Sequence, residues 1–200
     1  MTAMQARRAD GAVIDFSIKG SILRGLVLAL KQDAKLAAVE AKLSGETLAL
    51  VRALPTPGAW VDGIRAVELE EAMAEVLDAR GLRELGRKSV AIELRGITRS
   101  MTEGILRLFG ATPSVMFSRV SLFDPITVKG VKNTWTSTGA NSGQVRTQYA
   151  TSKGLPSVMG EVSAGMLAAT HELCGATGTV DFKGFTSDLR NEMLFEVKWD

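Results

Sequence analysis

Apolar residues at three- and four-residue steps predict a long helix in the last third of the chain. Pro156 stands where a first helical turn tolerates proline, because its missing N–H would be unpaired there anyway. The apolar stripe that follows consists of Val158, Met159, Val162, Met166, Ala169 and Leu173. Gly175 then occupies the position where a left-handed residue closes a helix. We therefore predict a helix over Pro156–Cys174, about 28 Å long at ~1.5 Å per residue.

The segments on either side of this helix have strand patterns. Thr127–Thr138 and Gln144–Thr151 are rich in β-branched residues and flank a turn cluster, which predicts a hairpin. After the helix, Gly178–Lys183 and Met193–Trp199 predict a second hairpin. The expected product is an antiparallel sheet of about four strands with the long helix packed across it.

The N-terminal part is predicted to be helical after one short strand. Val13–Lys19 alternates, with Ile14, Phe16 and Ile18 on the apolar side. The predicted helices are Ile22–Lys31 capped by Ser21, one capped by Asp33, one capped by Ser44, Val67–Arg80 stopped by Gly81, Leu82–Arg95, Met101–Phe109 behind the capping box Ser100–Glu103, and one from Pro113 to Phe123. The fold class is thus α+β.

We predict one domain over residues 13–200, with residues 1–12 as a flexible leader. The helical part covers residues 13–124 and the sheet-plus-helix part residues 125–200. The proline-rich break Leu54–Gly58 is interpreted as a loop inside the domain. On the helix Val67–Arg80, the glutamates are expected on the solvated face; they are Glu68, Glu70, Glu71 and Glu75.

Composition limits the function classes. The 200 residues are 46% hydrophobic and 23% charged, as in ordinary globular proteins. Lysine and arginine (24) nearly balance aspartate and glutamate (22), so we expect neither a nucleic-acid nor a membrane partner. The single cysteine, Cys174, permits no intrachain disulfide, and the longest apolar run, Leu26–Leu30, is far too short for a membrane span. The expected location is the cytoplasm.

Candidate chemistry is sparse. His171 is the only histidine, three residues before Cys174, and two such residues are too few for a metal site. We interpret His171 as a structural or surface residue whose charge suits a helix C-terminus, with a haem ligand as the alternative. Neither Gly-x-Gly-x-x-Gly nor a phosphate loop occurs. No catalytic residues, metal or cofactor are therefore predicted, and the protein is not expected to be an enzyme.

Methionine is the one unusual feature. Four of the eight methionines, Met101, Met116, Met159 and Met166, fall on apolar helix faces. Methionine fills irregular space and suits adaptable binding surfaces. These side chains therefore either pack an ordinary core or line a pocket for an apolar ligand between helices and sheet.

Several segments resemble a known family. They are Ser21–Leu30 after a short strand, Arg87-Lys88, the block Ile105–Pro113, and Phe195-Glu196-Val197-Lys198-Trp199. Together they are similar to the paralogous domain expanded in myxobacteria, over roughly Val13–Trp199. That family has no settled function.

A wider similarity is to the superfamily of haem-nitric-oxide-binding sensors, vinyl-reductase-like ligand domains and Golgi transport subunits. It implies an α+β fold with a helix on an antiparallel sheet. Tyr149-Ala150-Thr151-Ser152-Lys153 resembles the sensors' Tyr-x-Ser-x-Arg motif, which holds haem propionates. Here threonine replaces serine, and lysine replaces arginine and loses its bidentate fork. The sensors' iron-ligating histidine has no counterpart in Ser114–Phe123, and the last hairpin, Thr177–Trp199, lacks the cysteines of the vinyl-reductase-like domains.

These observations favour a non-enzymatic sensory or protein-interaction domain, with a pocket for an apolar small molecule as the associated hypothesis. The candidate ligand-binding residues are Met116, Phe117, Val120, Tyr149, Thr151, Lys153, Met159 and Met166. One alternative is a structural homo-oligomer or scaffold subunit with no ligand, for which exposed apolar residues on Ile22–Leu30 or the last strand would be the sign. A second alternative is a haem-based gas sensor that uses His171.

Overall fold

A computed structural model describes residues 6–7, 13–94, 112–122 and 124–200. The helices are α1 Gly20–Gln32, α2 Leu36–Glu40, α3 Gly45–Ala53, α4 Gly63–Ala74, α5 Ala79–Leu94, α6 Pro113–Ser118, α7 Asp124–Thr127 and α8 Ser157–Leu173, with a 3-10 turn at Val120–Leu122. The strands are β1 Ala6–Arg7, β2 Val13–Ile14, β3 Ser17–Lys19, β4 Trp60–Asp62, β5 Val128–Lys129, β6 Val131–Gly139, β7 Ser142–Tyr149, β8 Gly178–Phe185 and β9 Glu192–Trp199.

The predicted fold class is confirmed: a helical N-terminal part precedes an antiparallel sheet crossed by one long helix. The sheet has the order β6-β7-β9-β8, and both predicted hairpins form in it. Its buried face carries Val145, Val180, Met193, Phe195 and Val197. The predicted long helix matches α8 to within one residue at each end, and Gly175 closes it with φ of +63°.

The predicted strand Thr127–Thr138 is wrong as a single element. Gly130 divides it into β5, which pairs with β3 in a second, three-stranded sheet, and β6, which pairs with β7. Gly130 has φ of +67°, and a Cβ there would overlap the carbonyl oxygen of Asp15. Glycine alone suits such a backbone position, so the chain can turn from one sheet into the other at this residue.

The predicted stop at Gly81 is also wrong. The chain leaves α4 after Ala74 and re-enters a helix at Ala79. Gly81 lies in the first turn of α5, where its N–H donates to Asp78 Oδ1 at 2.8 Å. A side-chain acceptor before the first turn is the usual start of a helix, so the helix begins at the cap rather than ending at the glycine.

Of the other predicted helix N-caps, some are wrong and one has the predicted position. Ser21 lies inside α1, which starts at Gly20, and Asp33 ends α1 instead of starting α2. The Asp33 carboxylate is used for a tertiary contact, since it accepts from Lys88 Nζ of α5 at 2.7 Å. Ser44 does precede α3, although its side chain makes no capping bond. The strand over Val13–Lys19 appears as β2 and β3, with its predicted apolar side buried.

Several predictions are not tested by the described residues. The helix Met101–Phe109 and its capping box lie outside them, as does Phe123. The domain limits and the flexible leader stay predictions; within that leader, Ala6–Arg7 pairs with Val13–Ile14.

The helical part and the sheet-plus-helix part pack closely where α5 crosses α8. A Cβ on Gly86 would overlap the carbonyl oxygen of Val162, and a Cβ on Gly165 would overlap that of Arg83. The two helix backbones therefore touch, with no side chain between them at these points. Beside the crossing, Arg83 pairs with Glu161, and Arg87 pairs with Glu172. These arginines are 39% exposed, so the ion pairs contribute little and backbone contact fixes the geometry.

We predict that Gly165→Ala destabilises the protein, because the added methyl group must push the two helices apart. The expected loss is about 1–3 kcal/mol of unfolding free energy, measured by urea denaturation. Gly58→Ala is the matched control, since Gly58 is exposed with no atom within 4 Å of the new methyl group. Its expected change is under about 0.5 kcal/mol. Equal effects of the two substitutions would contradict the tight crossing.

Candidate functional site

Phe117, a predicted ligand-binding residue, belongs to a packed aromatic cluster at the C-terminal end of α8. The cluster is Phe117, Trp135, His171 and Trp199. The Phe117 ring stacks on Trp135 at 5.3 Å between centroids and on Trp199 at 6.3 Å, and it meets His171 edge-on at 5.6 Å. Rings at these separations are in direct contact. This end of α8 is therefore filled by the chain's own side chains.

His171 is buried in this cluster, so the prediction that its charge serves the helix C-terminus is wrong. The residue is 3% exposed, and neither ring nitrogen has a hydrogen-bond partner. Burial lowers the pKa of His171, because the charged imidazolium would lose its water. A neutral imidazole with two unpartnered nitrogens is a cost to stability.

The segment that resembles the haem-propionate motif is engaged within the protein. The Tyr149 side chain is 9% exposed and shares a hydrogen bond with Ser163 of α8, and its ring meets Phe16 edge-on at 5.1 Å. Thr151 Oγ1 accepts from the Lys153 N–H at 3.1 Å and donates to the Lys153 carbonyl at 2.9 Å. The tyrosine thus faces the core, and the threonine hydroxyl closes a local turn.

Glu70 is a second polar residue whose predicted environment is wrong. It was expected on the solvated face of its helix, yet it is 7% exposed, and its Oε2 has no partner. Burial raises the pKa of Glu70 from the usual 4.5 to about 8. A signal was present in the sequence, because Glu70 follows the buried Val67 by three residues and precedes the buried Met73 by three.

Burial raises the pKa of the Tyr149 hydroxyl, and the charge of the Glu70 carboxyl raises it further. Ser163 of α8, a half-buried residue, is hydrogen-bonded to Tyr149 of β7 and opposes this shift. The side chains that act on Tyr149 thus come from both α4 and α8.

The eight predicted ligand-binding residues do not share one environment. Met116, Phe117, Tyr149 and Met159 are buried, whereas Val120, Thr151, Lys153 and Met166 are half-buried. A cavity of about 480 Å³ at the end of β6 and β7 includes Tyr149 and Thr151, together with Gly130 and Asn191, among its lining. A cavity of about 520 Å³ between α5, α8 and β8 and one of about 370 Å³ beside α3 and α4 contain none of the eight. The apolar-ligand pocket therefore stays a prediction.

Within the described ranges, no group of three or more histidine, cysteine, aspartate or glutamate side chains could hold a metal ion. Over the same residues, no helix combines the length and the apolar character needed to cross a membrane. Cys174 is half-buried, and burial raises the pKa of its thiol. This favours the thiol over the reactive thiolate.

Comparison with known proteins identifies the fold. No protein-family model and no curated protein matches this sequence. Solved structures do match: an Fe(II) unliganded H-NOX protein from K. algicida has a TM-score of 0.58 at 11% identity, over 92% of this chain and 97% of that one. An oxygen-binding H-NOX domain related to soluble guanylate cyclases, in its oxygen complex, has a TM-score of 0.59 at 10% identity, over 92% and 95%.

The fold of this chain is H-NOX-like. A third H-NOX structure, from work on haem distortion, agrees, with a TM-score of 0.60 at 12% identity over 92% of this chain and 95% of that one. The wider resemblance to the superfamily of haem-nitric-oxide-binding sensors is thus confirmed at the level of fold. Membership in the myxobacterial family stays a prediction, because no family model matches.

We predict that Glu70 makes the unfolding free energy fall as pH rises from 4.5 towards 8. Over this range the unfolded state, with a pKa near 4.5, releases the proton that the folded state retains. The stability lost by pH 7 is roughly 3 kcal/mol. Glu70→Gln should remove this loss. The unfolding free energy of the variant minus that of the wild type, measured by urea denaturation, should therefore increase from pH 5 to pH 8.

The exposed neighbour Glu71 provides the control for this measurement, and Glu71→Gln should follow the wild-type curve. A constant difference between wild type and Glu70→Gln across this pH range would show that the carboxyl is not buried as described.

Proposed function

We propose that this chain is a non-enzymatic sensory or protein-interaction domain that acts without haem. The observation that carries the proposal is the close packing of an H-NOX-like fold: α5 and α8 touch at Gly86 and Gly165, the aromatic cluster packs the C-terminal end of α8, and Tyr149 is buried. A domain of this kind transmits a signal through its surface and its packing rather than through a prosthetic group.

The residues present do not fit haem. The only histidine is held in the aromatic cluster, where its ring also lies against the backbone of Gly178, at 2.8 Å from the position of a Cβ there. An iron ligand needs one open nitrogen and free space beside it, and these contacts leave no such approach. At the other end of α8, Lys153 cannot offer the two parallel N–H donors with which arginine grips a carboxylate.

On the sides of α8 that meet α5 and the sheet, the packing is also too close for a flat macrocycle; the cavity of about 520 Å³ lies at the edge of α5, beside Arg83 and Arg87. Val162 is fully buried against Gly86, and Val158 and Met159 are 9% and 3% exposed. Phe182 of β8 lies against Gly160, where a Cβ would overlap the ring. Admitting a prosthetic group here would require α8 to separate from α5 or from the sheet.

The surroundings of His171 and Cys174, both among the described residues, support the non-enzymatic part of the proposal. Histidine-based catalysis needs an imidazole hydrogen-bonded to a nucleophile or a carboxylate. His171 has neither partner, and partial burial of Cys174 favours the thiol, which is less nucleophilic than the thiolate.

The homo-oligomer alternative receives less support. Its expected sign was exposed apolar residues on Ile22–Leu30 or the last strand. In the structure, Leu23, Leu26 and Leu30 are at most 1% exposed, and Met193, Phe195 and Val197 of β9 are fully buried. Exposed large apolar residues occur elsewhere, at Leu122, Ile126 and Leu189. The cytoplasmic location stays a prediction.

We predict that haem added to the purified protein produces no saturable Soret band. The titration is followed by absorbance, with wild type and His171→Phe side by side. Phenylalanine has a similar shape and removes two unpartnered nitrogens, so the variant should fold at least as stably as wild type. Both proteins should give the weak, non-saturating spectrum of unspecific haem.

A one-to-one Soret band in wild type that His171→Phe abolishes would establish the haem-sensor alternative and overturn the proposal. A Soret band retained in His171→Phe would also overturn the proposal and would show that another residue binds the iron.

Light scattering on the haem-free sample checks the oligomeric alternative. A mass of two or more times 21.3 kDa would favour a scaffold subunit.

A further inference from the structure

The short helix α6 is held on the domain through the aromatic cluster. It has six residues, Pro113–Ser118, and a helix of that length is not stable without packing. Its Phe117 is 1% exposed and contacts the other three rings of the cluster, Trp135 of β6, His171 of α8 and Trp199 of β9. The position of α6 against the sheet and α8 therefore depends on the packing of this cluster.

His171 is the member of the cluster that can take up a proton. Its two ring nitrogens have no hydrogen-bond partner. The edge of the ring formed by Cε1 and Nε2 lies against Gly178, since a Cβ there would be 2.8 Å from both atoms. Gly178 is itself exposed. The imidazole is thus buried, but one of its edges lies next to a segment of the chain that is in contact with water.

Among the described residues, the elements packed against His171 offer no counter-charge to an imidazolium. α6 contains no titratable side chain, and neither do the buried faces of β6 and β9. The nearby acidic groups have other partners: Glu172 with Arg87, Asp181 with Arg83, Glu196 with Lys183, and Asp200 with the Thr177 hydroxyl. Lys132 of β6, Lys198 of β9 and Arg119 next to α6 are exposed cations, and Cys174 is a half-buried thiol.

Protonation of His171 therefore changes what the cluster must accommodate. An imidazolium has two N–H donors and a charge, and both need water or an acceptor. Water reaches the ring only if one wall of the cluster moves. The helix α8 is held by its crossing with α5, and β6 and β9 are held by their pairing with β7. The six-residue α6 is the wall that moves with the smallest loss of packing.

We propose that His171 is an acid-sensitive switch for the position of α6. When the imidazole takes up a proton, Phe117 leaves the aromatic cluster and α6 separates from β6 and α8, while the rest of the fold is kept. The movement uncovers Trp135 and Trp199, so an apolar surface forms that is covered at neutral pH. This inference goes beyond the proposed function, which names no stimulus, and it is tested without haem.

The direction of the pH dependence follows from the burial of the ring. Burial lowers the pKa of His171 below its usual 6.5. As the pH falls below 6.5, the unfolded state and the open state take up a proton before the closed state does. The free energy that keeps α6 closed is therefore fully present above this pH and is lost as the pH falls through the pKa of the folded protein.

The test is amide hydrogen exchange of the haem-free protein between about pH 7.5 and about pH 4.5, with rates corrected for the intrinsic effect of pH. The amides of Met116 and Arg119 report on α6, because they donate to the carbonyl oxygens of Thr112 and Met116. Their protection should fall by about tenfold or more at the acidic end, while amides around Met166 at the crossing of α5 and α8 keep theirs.

Tryptophan fluorescence gives a second signal in the same pH range. Both proteins carry Trp60→Phe, which removes the one tryptophan outside the cluster. Emission should shift reversibly to longer wavelength as Trp135 and Trp199 become exposed. His171→Phe is the control, because it keeps a ring of similar shape and all the carboxyl groups but removes the titrating imidazole. Its exchange at α6 and its emission should stay constant with pH.

Three results would overturn the proposal. The same acid-induced change in His171→Phe would assign it to carboxyl groups. Loss of protection at α6 and at the α5–α8 crossing together would be acid unfolding of the whole domain. Unchanged or slower exchange of α6 in the wild type would mean that the three rings hold the imidazolium by cation–π contact. The comparison of α6 with the crossing uses the wild type alone, so it does not depend on the folding of a variant.

Discussion

The rest of the structure depends on the contact between two helix backbones, α5 and α8. Gly86 and Gly165 let the helices approach until a carbonyl oxygen of each lies where the other's side chain would begin. That distance holds α8 against the helical part, while at Gly160 the same helix lies against the Phe182 ring of β8 in the sheet. The half-exposed ion pairs beside the crossing add little to stability. Close packing, rather than charge, joins the two parts of the domain.

A closed interior has consequences for the polar groups inside it. His171 and Glu70 have both lost water, and each is driven to its neutral form, with a lowered pKa for the imidazole and a raised pKa for the carboxyl. Unpartnered polar atoms of this kind reduce stability. Their presence distinguishes this core from a purely apolar one.

Sequence patterns predicted the fold well where periodicity is strong, as in α8 and the two hairpins. They failed where a single residue decides between alternatives. Gly130 splits one β-rich run between two sheets because of its positive φ, and Asp78 starts a helix where Gly81 suggested an end. For the candidate site, the sequence located the motif from Tyr149 to Lys153. It did not show that the Tyr149 side chain faces the core. Glu70 was predicted to be exposed because it is charged, although its three-residue spacing from Val67 and Met73 places it on the same face of α4. Only the tertiary packing shows that this face is covered.

The central claim is that α5 and α8 pack backbone against backbone in the free chain, so that a prosthetic group could enter between them only if the helices separated. Amide hydrogen exchange at this crossing, with and without added haem, tests it most directly. The account predicts that amides around Gly86 and Met166 exchange among the slowest in the protein and are unchanged by haem, because they are already packed in the free chain. Rapid exchange there that slows when haem is added would show that the helices part to admit a ligand, and would contradict the account.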